Sequence, residues 1–253
     1  MVRFLQKTWV IADFEIRKIL HDPTEVLVRA VQPALWLLIF GQVMASIRMI
    51  PGESYLDFIS PGILAQSILF VSIFYGIAII WERDLGLTHK FLATPTPRTA
   101  LVLGKAVSAG IRCIPLMFII YILAALLSVP VSWRPLNLLG VLLFLLLGAI
   151  LFSTFSLIIA CLVKTRERFM GIGQLMTMPL FFASNAIYPI QLMPEWLKII
   201  SHFNPLTYMI DGIRRLMTGT PSVYSLSMNY LVLGIASAVL ILVAGKLYPR
   251  VIN

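Results

Sequence analysis

The chain has 253 residues, of which 59% are hydrophobic and 12% charged, with a formal charge of +9 and a mean hydropathy of +0.93. An average soluble domain carries about a quarter charged residues, so this chain lacks the polar surface to be one. The positive charge is spread between apolar runs, which excludes a nucleic-acid-binding patch and makes it a signal of topology instead.

Residues 1–21 are expected as an amphipathic helix lying in the membrane interface. Val2, Leu5, Trp9, Ala12, Ile16 and Ile19 recur at three- and four-residue steps, with Arg3, Lys7, Arg17 and Lys18 mostly elsewhere on the wheel. Asp22-Pro23-Thr24-Glu25 reads as a helix cap, and the first span follows over Ala30–Ile47, with Pro33 as a candidate kink. After a short loop at Met49–Tyr55, Ser60-Pro61 repeats the cap-plus-proline pattern and is expected to open the second span, within Phe58–Trp81.

The segment 81–105 reads as the longest loop on the side of the termini. The third span, Cys113–Trp133, is preceded by Ala106–Ile111 and interrupted only by Arg112. It forms a hairpin with the fourth, Pro135–Val163, turning near Val131–Pro135. Lys164–Arg168 is a tight basic turn, and the fifth span, within Phe169–Pro194, is expected to end near Tyr188-Pro189. Residues 191–227 are expected as short amphipathic helices at, or dipping into, the outer face, with Asp211 and Arg215 four apart on a polar side. The last span, Leu231–Gly245, reaches about 20 residues if it begins near Met228. The expected fold is thus an all-α, polytopic membrane protein: one domain of six transmembrane helices.

With six spans both termini share a side. Most of the 20 Lys and Arg lie there; Arg48, Arg134, Lys198, Arg214 and Arg215 lie opposite, and Arg112 lies within a span. The positive-inside rule places the termini in the cytoplasm. Cys113 and Cys161 fall inside spans and are expected as buried thiols.

The missing chemistry narrows the function. No Asp, Glu, Lys or His is expected in the middle of a span, which disfavours a proton- or ion-coupled carrier. Arg112 can snorkel toward the cytoplasmic surface and is a candidate substrate or interface contact. There is no G-x-x-x-x-G-K-S/T loop, no H-E-x-x-H and no G-x-S-x-G. His21, His89 and His202 are dispersed, so no metal site, no bound cofactor and no catalytic residue is expected. An active transporter of this kind needs its energy from another subunit, and residues 81–98 are the best-placed docking surface for it. The alternative is an ATP-independent channel or facilitator.

Three stretches resemble the type-2 ABC transporter permeases. They are the loop carrying Glu82-Arg83, Gly86, Pro95 and Arg98; the end of the fifth span, PLFFASNAIYP, with the helix start at Pro194–Trp196; and NPLTYMIDGIRRLMTG, Asn204–Gly219. The resemblance implies a homodimer, with two copies of a soluble ABC ATPase using ATP and Mg, in the inner membrane of a prokaryote. It implies that residues 82–95 form a coupling helix, with Glu82, Arg83, Asp84, Gly86, His89, Pro95 and Arg98 as docking residues. It implies a substrate path lined mainly by the second and fifth spans. Asn204, Pro205, Tyr208, Asp211 and Arg214 belong to the extracytoplasmic signature, where capping and helix orientation explain them. The pattern is closest to exporters of drugs and nodulation-factor-like lipids, and a path without charge suits amphipathic cargo better than a polar sugar chain.

Overall fold

The computed structural model describes residues 24–45, 54–85, 97–163 and 165–248. The expected interfacial helix, the Asp22-Pro23 cap and the middle of the loop after the second span lie outside them. The described residues are helical, with short connections and no strand. α1 (Thr24–Leu35) contains Pro33 and passes through a π-helical stretch (Trp36–Gly41) into a last α-helical turn (Gln42–Ala45). Pro33 brings no amide to the i−4 ladder, and the irregular winding follows directly after it.

α2 (Tyr55–Asp84) is the central helix, 30 residues and about 45 Å long. Its start differs from expectation. Ser54, not Ser60, is the cap, its Oγ accepting from Leu56 N at 3.3 Å. Pro61 lies inside the helix, and Ser60 Oγ instead donates to Leu56 O at 2.6 Å.

α3 (Arg98–Leu126) and α4 (Pro135–Leu162) form the expected hairpin. α3 begins well before the expected Ala106, so the link from α2 is 85–97 and not 81–105. α5 (Arg166–Phe182) is capped by Thr165 and is only 17 residues long. It ends before the expected Tyr188-Pro189. Pro179 sits in its last turn, and the chain then turns through Ala183–Pro189 to a 3-10 turn at Ile190–Leu192. Short helices α6 (Glu195–Phe203) and α7 (Pro205–Met217) lead to α8 (Leu226–Leu247).

Five stretches among the described residues are helical, long and apolar enough to cross a membrane: Leu27–Ala45, α2, α3, α4 and α8. α5 falls short in length and carries Arg166, Glu167 and Arg168 in its first turn. It nevertheless runs beside α2: Arg166 meets Asp84 at one end, while the turn after α5 meets the start of α2, where Tyr55 Oη donates to Ile187 O at 2.9 Å. Gly62 permits that approach, because a Cβ there would stand 2.5 Å from Ala186 O.

The core lies where α2, α4 and α7 meet. α7 was expected as an amphipathic helix at, or dipping into, the outer face, and its apolar side, Leu206, Met209, Ile210, Ile213 and Met217, is fully buried. Its seat is reciprocal: Phe144 of α4 fills the space over Gly212, and Met209 of α7 fills the space over Gly148. A glycine on each side lets the two helices approach closely. α6 differs, exposing Trp196, Ile199 and Phe203. Cys113 and Cys161 are buried free thiols.

Candidate functional site

Charged and signature residues gather at two ends of the bundle. At the first, the last turn of α2 meets α3 and the start of α5. Glu82, expected on the surface, is buried; its carboxylate accepts from Lys105 Nζ of α3, which is only 4% exposed. The apolar sequence around Lys105, ALVLGKAVSAG, forces this pairing, since a lone ammonium there has no water to face. Asp84 is more exposed and accepts on one carboxylate oxygen from Arg166 Nε (3.1 Å) and Nη2 (2.7 Å). The Arg166 guanidinium also lies 3.8 Å from the Trp81 ring centroid. Arg83 reaches Val163 O at 3.3 Å and Asp84 Oδ1 at 3.4 Å.

One helical turn of α2 is therefore tied to α3, to the end of α4 and to α5. Arg98 is the exposed first residue of α3. Gly86, His89 and Pro95 lie outside the described residues. The sequence reading missed Lys105, Arg166 and Trp81 as members of this cluster. The solitary charge of Lys105 in an apolar stretch was the available signal.

Arg112 stands apart. Counted from the start of α3 it lies roughly 21 Å along the axis, about the middle of the helix and deeper than two turns. It is half-buried, with its guanidinium 5.3 Å from the ring centroid of Tyr75 on α2.

At the second end, Asn204 caps α7, its Oδ1 accepting from Leu206 N at 3.0 Å. Its Nδ2 donates to Leu180 O (2.7 Å) and Ala183 O (3.2 Å), two carbonyls left open where α5 stops. Pro205 occupies the first position of α7, where its missing N–H costs nothing. Tyr208 Oη donates to His202 O at 2.8 Å and holds α6 against α7.

Asp211 and Arg214 were assigned to capping and orientation, and both are buried. Asp211 forms no ion pair with Arg215 among the described residues. Its carboxylate accepts from Val223 N (2.8 Å), Tyr224 N (3.0 Å) and Asn229 Nδ2 (3.0 Å), pinning the link between α7 and α8. Arg214 Nη2 donates to Asn185 O (2.7 Å) and Phe58 O (3.2 Å), and its guanidinium lies 3.8 Å from the Phe58 ring centroid. Burial, then the neighbouring Tyr208, push the Tyr224 phenol up to about 12, so it stays neutral beside Asp211.

Over residues 6–218 the chain matches the family described as ABC-2 type transporter. It is 29% identical over 248 residues to ycf38 of Cyanophora paradoxa, named as a transport permease; the match covers 95% of this chain and 85% of that relative. It is 29% identical over 190 residues to the inner membrane transport permease YadH of Escherichia coli K12, covering 71% of this chain and 70% of YadH. It is 24% identical over 200 residues to the daunorubicin resistance ABC transporter permease protein DrrB1 of Streptomyces coeruleorubidus, covering 79% and 71%.

Proposed function

Because the chain belongs to the ABC-2 type transporter family and is the membrane subunit of an ABC transporter, we propose that it is the permease of an ATP-driven exporter. It works as a homodimer with two copies of a separate soluble ATPase, and carries an amphipathic drug, lipid or lipid-linked glycan out of the cytoplasm or inner leaflet. α5 is the sixth crossing element, about 26 Å long, so both termini lie in the cytoplasm. The segment 81–98 then faces the ATPase.

The observation that carries this reading is the tie between the last turn of α2 and three other helices. Closure of an ATPase pair delivers a displacement of a few ångströms to whatever docks on it. A push on the segment after Asp84 passes to α3 through Glu82–Lys105, to α5 through Asp84–Arg166 and to α4 through Arg83–Val163. These helices can then shift as bodies between two packings. Glu82 serves as a transmitting residue, while Asp84 and Arg98, being exposed, are the direct contacts. Arg112, braced on Tyr75, orients α3 against α2.

The test is reconstitution in liposomes with and without a soluble ABC ATPase that co-purifies with this chain. Flux of an amphiphilic dye is expected only with the ATPase and ATP present. Asp84→Lys is expected to abolish stimulation of ATP hydrolysis while the protein still inserts. Equal flux without any ATPase overturns the reading in favour of a facilitator.

A further inference from the structure

Between the two ends, α1, α2 and α5 enclose a cleft of about 560 Å³. Its walls carry three carboxamides, Gln32 of α1, Gln66 of α2 and Gln174 of α5, together with the guanidinium of Arg29 and the rings of Phe70 and Phe74. Among the described residues, none lining it is acidic. The size is that of a small-molecule site, but the lining is not that of a greasy slot.

Gln66 is the informative residue. It is 4% exposed, and among the described residues nothing donates to its Oε1. A buried carbonyl oxygen left unpaired costs about 1–3 kcal/mol, and an apolar side chain of the same size would avoid that cost. Ser67 beside it cannot help, because its hydroxyl donates to Ile63 O at 2.8 Å. Gln32 and Gln174 are exposed at the rim, where each presents a donor and an acceptor.

We propose that this cleft is a binding site for the polar head of the cargo, and that it selects a hydroxyl-bearing head. A hydroxyl of the head donates to Gln66 Oε1, and the amides of Gln32 and Gln174 take further hydroxyls at the rim. Phe70 and Phe74 flank the apolar part. A quaternary ammonium head has no O–H or N–H to donate to Gln66 Oε1 and so lacks this contact. The cargo path in this chain is therefore lined by hydrogen-bonding groups, contrary to the expectation of an apolar path. The inference rests on the exporter reading for the identity of the ligand as cargo.

The experiment measures binding of three radiolabelled dodecyl amphiphiles with matched tails to the full chain in lipid nanodiscs, with no ATPase present. Dodecyl glucoside and dodecyl glucuronide are expected to bind saturably, and dodecyltrimethylammonium at least tenfold more weakly than either. Gln66→Leu should weaken the glucoside at least tenfold. Gln174→Leu, at an exposed position that does not threaten folding, should weaken it several-fold. The proposal is overturned if Gln66→Leu and Gln174→Leu both bind the glucoside as the unmodified chain does, or if the ammonium amphiphile binds as tightly. Those results leave the ATPase-dependent flux untouched, whereas loss of that flux with binding intact removes the exporter reading alone.

Discussion

The two ends of the bundle hold their charges in opposite ways. At the end of α2, charge faces charge: Glu82 with Lys105 and Asp84 with Arg166. At α7, charge faces mainly backbone: Asp211 on two peptide N–H groups and Arg214 on two carbonyls. A pair of side chains can part and re-form through rotamer changes while the helices stay intact. A carboxylate seated on peptide groups is released only when the chain itself moves. The first arrangement suits a junction that is displaced in use, and the second suits an anchor against which it is displaced.

The largest effect that would break this contrast is expected at the buried pair. Lys105→Met leaves the Glu82 carboxylate without its partner and should cost about 3–5 kcal/mol, read as a fall in melting temperature of the detergent-solubilised protein. The double variant Glu82→Gln/Lys105→Met should recover most of that loss. If its loss equals the sum of the two single variants, the pair is not coupled. Asp211→Ala should cost about 3 kcal/mol by stranding two amides and Asn229. Adding Asn229→Leu should restore little, since backbone donors cannot be substituted away; full restoration would show that the anchor is only another side-chain pair.

A smaller loss is expected from Gly212→Ala, about 1–3 kcal/mol, because the added methyl meets the Phe144 ring. Gly234→Ala on α8, where a Cβ meets nothing within 4 Å, is the matched control and should lose nothing. Least of all, Asp84→Asn at the exposed pair should leave the melting temperature unchanged. It should still reduce stimulation of the ATPase if that end is the junction.

Much of this was legible in the sequence. Five of the six long apolar runs gave helices able to cross a membrane, Pro135 marked the start of α4, and the three signature stretches pointed to the family that residues 6–218 match. What was not legible was pairing across the fold. Lys105 and Glu82 belong to different helices, and nothing local in either says that they meet. The start of α2 was misplaced because Ser60-Pro61 looks like a cap, while a bundle interior lets a proline sit one turn further in. α7 was read as an amphipathic helix at, or dipping into, the outer face, being too short and too polar to span, and the partners of its polar residues could not be read. In fact Asp211, Arg214 and Asn204 find backbone partners inside, and Gly148 and Gly212 make room for the helix. A glycine on α4 with Phe144 four positions before it was the overlooked sign of a partner there.

The π-helical stretch at Trp36–Gly41 fixes where the first helix aims its side chains. Such a winding holds roughly one extra residue per turn, and one residue of an α-helix corresponds to about 100° of rotation. Winding the same residues as an unbroken α-helix, with Gly41 kept against α2, would swing Arg29 and Gln32 about a quarter-turn away from Gln66. The chemistry offered to a ligand would change although no lining residue had been replaced. In this chain the orientation of a whole wall is stored in a local fault of helical pitch.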